Sequence, residues 1–121
     1  MNDPPGQLAF MWREAGLAWA TSVSLENVGG IYEAQNQPWK ALECYREVLS
    51  MRKKLKNRYR KDPQYRRDYS VSLSKIGDIY ETQDQPRKAL RYYEEDLVIS
   101  REFKRPVSGK PGLSVGLFDR P

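Results

Sequence analysis

The chain has 121 residues, 31% charged and 39% apolar, with a formal net charge of +5. That length fits one ordinary domain with room for a core. With no histidine and a single cysteine, Cys44, a Cys–His nucleophile, a histidine metal site and an intrachain disulfide are all excluded.

In chain order, the first helix is expected over residues 15–35. The stretch "GLAWATSVSL" extends it backwards, with Leu17 and Trp19 near the helical seam, and Leu8 to Trp12 form a further helical turn capping it. Leu25, Val28 and Tyr32 recur at three- and four-residue steps, the stripe of an amphipathic helix. "QNQP" interrupts the stripe. Asn36 tolerates left-handed backbone angles and suits a helix C-terminus. Pro38 lacks a backbone donor, which costs nothing in the first turn of a new helix.

The second helix is expected over 38–60, on the stripe Ala41, Leu42, Tyr45, Leu49 and Leu55. It runs through "MRKKLKNRYR" until "KDP" ends it near Asp62 and Pro63. The third, over 64–83, carries Leu73, Ile76 and Tyr80, and "QDQP" closes it with Asp84 in place of Asn36. The fourth, over 86–104, carries Ala89, Leu90, Tyr93, Leu97 and Phe103.

The second pair of helices restates the first. Gly29 aligns with Gly77, Tyr32 with Tyr80, Pro38 with Pro86 and Tyr45 with Tyr93, each pair 48 residues apart, with no gap from Ser22 through Leu55. A repeated phrase means a repeated structural unit, here a helix, a turn and a second helix packed antiparallel. A helical glycine costs roughly 0.5–1 kcal/mol relative to alanine. The same glycine placed twice implies a close helix crossing that offsets the cost. Ser22, Ser24, Ser70 and Ser72 also repeat, and Ser24 and Ser72 are read as small residues that let helices approach.

The spacing Leu73-x-x-Ile76-Gly77-x-x-Tyr80, with Ala89 and Tyr93, resembles the tetratricopeptide repeat, and Leu25, Val28, Gly29, Tyr32, Ala41 and Tyr45 give the same spacing earlier. The resemblance implies an all-α helical repeat of two antiparallel helix pairs. The domain would span 8–105, with units of about 15–60 and 63–105. It implies that Gly29, Gly77, Ala41 and Ala89 sit where helices cross closely. This chain departs from the pattern in length, its 48-residue spacing exceeding the usual ~34. Val48 and Asp96 replace a small residue, and Lys53 and Arg101 replace the closing proline. Shared between two helices, the excess lengthens each by roughly 10 Å. Residues 106–121 are either a disordered tail or the truncated start of a third repeat, since Ser114-Val115-Gly116-Leu117 echoes Ser70-Val71-Ser72-Leu73.

Catalytic chemistry finds no foothold in these residues. Cys44 reads as a packing or surface thiol. "SGKPG" at Ser108 lacks the upstream glycine and the Ser or Thr of a phosphate loop. Glu94, Glu95 and Asp96 fan around a helix axis as a solvated face. No enzyme activity, metal or cofactor is expected. No apolar run approaches the ~20 residues of a membrane-spanning helix, and "MNDPPG" lacks the positive start of a secretion signal. The single cysteine suits a reducing compartment. A cytoplasmic protein without membrane insertion is therefore expected.

Two surfaces carry charge. The basic one comprises Arg52, Lys53, Lys54, Lys56, Arg58, Arg60, Lys61, Arg66 and Arg67, with Tyr59 and Tyr65 interleaved and only Asp62 opposing. Such cations contact phosphates and aromatic faces stack bases; equally, the segment is a solvated helix end and corner. The second surface follows from the resemblance, in which first helices line a concave groove. The lining positions would be Val23, Glu26, Gly30, Glu33 and Ala34, then Val71, Ser74, Asp78, Glu81 and Thr82. The family's lysine–asparagine clamp for a C-terminal carboxylate is absent, because Glu26, Gly30, Ser74 and Asp78 stand there. The implied function is binding of a protein or peptide, and the acidic groove favours a basic or polar one. Nucleic acid or another polyanion on the 52–67 segment is the alternative. A homodimer is also expected, since two units leave an apolar face bare at each end. Leu97, Ile99 and Phe103 would meet Phe10, Met11 and Trp12, or a helix would be exchanged across 60–65, in a twofold pair.

Overall fold

Prolines punctuate the chain into four helices. A computed structural model describes residues 5–104, with side chains over 13–102, and contains α1 (Pro5–Ala34), α2 (Pro38–Arg58), α3 (Pro63–Thr82) and α4 (Pro86–Lys104). No strand occurs among the described residues. Each helix packs on the next in sequence, and connections this short make neighbours antiparallel. The 106–121 tail lies outside the described residues, as do the side chains of Leu8, Phe10, Met11, Trp12 and Phe103.

The two proline-marked turns have one construction. Asn36 and Asp84 both adopt φ of 60°. The N–H groups of Asn36 and Gln37 donate to the carbonyls of Glu33 and Tyr32 at 2.9 and 2.8 Å. Those of Asp84 and Gln85 donate to Glu81 and Tyr80 at 3.1 and 2.9 Å. This pair of hydrogen bonds around a left-handed residue satisfies carbonyls that a helix end otherwise leaves open. The longer corner is closed by Asp62, whose carboxylate caps α3 by accepting from the Gln64 N–H at 2.9 Å, with Pro63 opening the helix.

α1 departs from expectation. It is one continuous helix of 30 residues, where a helix from 15 with a separate capping turn was expected. Nothing between Leu8 and Gly16 breaks a helix. An added Cβ at Gly16 would meet nothing within 4 Å, so that residue costs only propensity, and Ala, Leu, Met, Arg and Glu around it supply helix formers. The seam of α1 is Ala15, Ala18, Ser22, Leu25, Gly29 and Tyr32, all buried or half-buried. Leu17 and Trp19, expected near the seam, and Val28, expected on the apolar stripe, flank it and are exposed. Ser22 and Ser72 are buried, whereas Ser24 is exposed; the two buried serines therefore do not occupy the same place in the repeat.

The core forms where α2, α3 and α4 meet. Ala41, Leu42 and Tyr45 pack with Ile76, Ile79, Tyr80 and Ala89, and Tyr69 and Leu73 pack with Ile99. The glycines mark close crossings, as expected. A Cβ on Gly29 would lie 2.5 Å from Cε1 of Tyr45, and one on Gly77 would lie 2.5 Å from Cε1 of Tyr93. Both distances are below any real Cβ contact, so each ring lies flat against bare backbone.

Candidate functional site

The crossing tyrosines organise the acidic face. Tyr45, on α2, passes over Gly29 and donates its hydroxyl to Glu33 of α1 at 2.6 Å. Tyr93, on α4, passes over Gly77 and donates to Asp78 and, at 3.0 Å, to Glu81 of α3. Burial, then the hydrogen bond and charge of Glu33, push the Tyr45 phenol far above its ordinary range. Burial, then the bonds to Asp78 and Glu81, do the same for Tyr93. Each phenol therefore remains a donor, and the exposed carboxylates of Glu33, Asp78 and Glu81 stay oriented. Lys75 borders them, its Nζ 5.9 Å from the centre of the Tyr45 ring. Gly30 on α1 and Ser74 on α3 are half-buried.

Glu26 has a different task. It forms an ion pair with Arg52 of α2 at 3.1 Å, with a second contact at 3.4 Å. The guanidinium also donates to the Ser72 hydroxyl at 2.9 Å, the Asp68 carbonyl at 3.2 Å and the Ser22 hydroxyl at 3.4 Å. Arg52 is buried. It ties α1 and α3 together through α2 and takes no part in the basic surface. A second tie is Trp19, whose indole N–H donates to the Asp68 carboxylate at 3.0 Å. Neither role was visible in the local sequence. The one available signal for Arg52 was that its repeat counterpart, Ser100, carries no charge.

The basic segment divides into smaller groups around the α2–α3 corner. Arg58, Arg60 and Lys61 line a cleft of about 770 Å³ with Asp62, Tyr59, Tyr65, Ala15 and Gly16. Tyr59 and Tyr65 pack on each other there, with centroids 5.5 Å apart, and the Arg58 guanidinium lies 5.8 Å from the Tyr59 ring. Lys56, Arg60 and Arg66 meet Glu102 around a second hollow. Lys53 and Arg67 are exposed and line neither.

Cys44 is half-buried on α2. Burial, then the charges of Glu43 and Glu47, push its thiol up, which keeps it protonated at neutral pH and poorly nucleophilic. Among the described residues no three His, Cys, Asp or Glu side chains converge as a metal-ligand set. Nor is any described helix long and apolar enough to cross a membrane.

Two helix–turn–helix units in register, with small residues at their crossings, define an α-helical repeat protein. Compared with models of protein families, the chain matches the tetratricopeptide repeat over residues 24–59 and 72–107. The protein belongs to the tetratricopeptide repeat family, whose repeats generally mediate protein–protein interaction. No curated protein matches the chain.

Proposed function

We propose that the protein is a non-catalytic cytoplasmic binding module that holds a basic or polar peptide segment of a partner protein against the face of α1 and α3. The observation that carries this reading is the ordered trio of exposed carboxylates, Glu33, Asp78 and Glu81, each fixed by a tyrosine from the neighbouring helix. Fixed acceptors bind cations with less ordering cost than free side chains do, and facing charge of opposite sign speeds encounter. Glu26 contributes mainly to the fold through Arg52. Selection of peptides from a random displayed library by the intact chain tests the proposal. Lysine- and arginine-rich sequences are the expected winners, and Glu33→Gln with Asp78→Asn and Glu81→Gln should abolish the enrichment. Enrichment of acidic peptides would contradict it.

The cleft at the α2–α3 corner favours a second reading, a polyanion such as nucleic acid held by Arg58, Arg60 and Lys61 with Tyr59 and Tyr65 as stacking surfaces. Fluorescence anisotropy with mixed-sequence DNA and RNA near physiological salt decides it. Binding that Arg58→Glu with Lys61→Glu removes would support this reading, and absence of binding would dismiss it.

A further inference from the structure

The junction between the two units serves as a template for the exposed apolar faces of α1 and α4. At that junction α3 covers α2, and Leu42, Ile76 and Ile79 are 5%, 0% and 1% exposed. Their counterparts one repeat away are Leu90 on α4 and Val28 and Ile31 on α1, which are 54%, 46% and 58% exposed. Leu49, packed against both core clusters, has the exposed Leu97 as its counterpart. The same helix positions are thus apolar on both ends, but only the internal copies are covered.

We infer that a second copy of this chain packs its α1 onto α4 of the first, head to tail, as α3 packs onto α2 within one chain. The polar positions fit that register. At the internal junction Arg46 donates to the Tyr80 hydroxyl; the counterparts are Glu94 and Tyr32, which pair a carboxylate acceptor with a phenol donor. The buried Arg52, which needs Glu26 of its own unit, has Ser100 as counterpart, and Ser72 has Ser24. Two hydroxyls then meet where the internal junction holds a cation, and no unpaired charge is buried. Val98 is an internal control. It is exposed, but so is its counterpart Ser50, so this packing leaves it bare. A head-to-tail contact is heterologous, and copies add at both ends instead of stopping at a twofold pair.

Sedimentation equilibrium of the intact chain from micromolar to hundreds of micromolar tests this. The mean mass should climb past two chains with concentration. Leu90→Asp and Ile31→Asp should each be monomeric, and Val98→Asp should associate like the parent. Mixing Leu90→Asp with Ile31→Asp leaves one intact α4 face and one intact α1 face, so the mixture should form a dimer and nothing larger. A monomer at every concentration would overturn the proposal, as would a dimer that persists in either single variant alone. Because Leu90 and Ile31 are exposed, circular dichroism of the variants should match the parent; loss of helix in both would show that these faces are internal and also overturn it. None of these outcomes depends on the peptide-binding reading.

Discussion

In the first unit the tyrosine lying on the crossing glycine, Tyr45, is buried and bonded to one carboxylate, Glu33. In the second, Tyr93 is half-buried and shared between Asp78 and Glu81. The first unit also reaches across to α3 through Arg52. The second has Ser100 at that position and instead joins its own helices through Tyr69 to Glu95 and Ser70 to Asp96. The crossing is therefore set by residues inside each unit, whereas the burial of the tyrosine and the hydrogen bonds from Arg52 to Ser72 and the Asp68 carbonyl depend on the unit beside it. Repeats contribute intrinsic and nearest-neighbour terms to stability, and here the two can be assigned to different side chains.

The largest expected effect separates the neighbour terms. Arg52→Ala strands Glu26 and the buried Ser72 hydroxyl, while Ser22 keeps its bond to the Trp19 carbonyl, and should cost about 3 kcal/mol, the lower end for a broken buried pair because Glu26 reaches water. Ser100→Ala at the equivalent place should stay within about 0.5 kcal/mol. Denaturant midpoints at constant slope measure both, and equal losses would erase the distinction between the units.

Next come the crossings. Gly29→Leu and Gly77→Leu should each overpack a tyrosine ring and cost about 1–3 kcal/mol. The Gly29 variant should lie higher in that range, since Tyr45 is walled in while Tyr93 can swing towards solvent. A Gly77→Leu protein with a raised midpoint would refute the close crossing in the second unit.

The smallest effect is in pH. The phenols of Tyr45, Tyr69 and Tyr93 are raised first by burial and then by their carboxylate partners. The unfolded chain releases these protons near pH 10 while the folded chain retains them. Their contribution is therefore complete below about pH 10 and is lost as pH rises beyond it. Thermal midpoints should fall on that alkaline limb. Tyr45→Phe should flatten the fall more than Tyr93→Phe, whose hydroxyl is more open to water. A slope untouched by either substitution would assign alkaline unfolding to other groups.

Much of this fold was legible in the sequence because the repeat states it twice. The turns at Asn36 and Asp84, the helix-opening prolines and the two glycine crossings all follow from local chemistry, and the structure has them in place. Periodicity could not say which side of α1 is covered, because Val28 and Ile76 read identically and only the neighbouring helix distinguishes them. Arg52 misled for a related reason. In a run of cations nothing local marks the one whose partners, Glu26, Ser72 and the Asp68 carbonyl, come from other helices. Of the candidate groove, the acidic positions were legible and the tyrosines that orient them were not, since Tyr45 and Tyr93 also fit an apolar stripe.

The most direct test of the binding face is to titrate the intact, isotope-labelled chain with a lysine-rich peptide and follow backbone amide shifts by NMR. Shifts clustered along α1 and α3 around Glu33, Asp78 and Glu81, and weakening as salt rises, are the predicted result. Shifts confined to the corner around Arg58, Lys61 and Tyr65, or none at millimolar peptide, would contradict it.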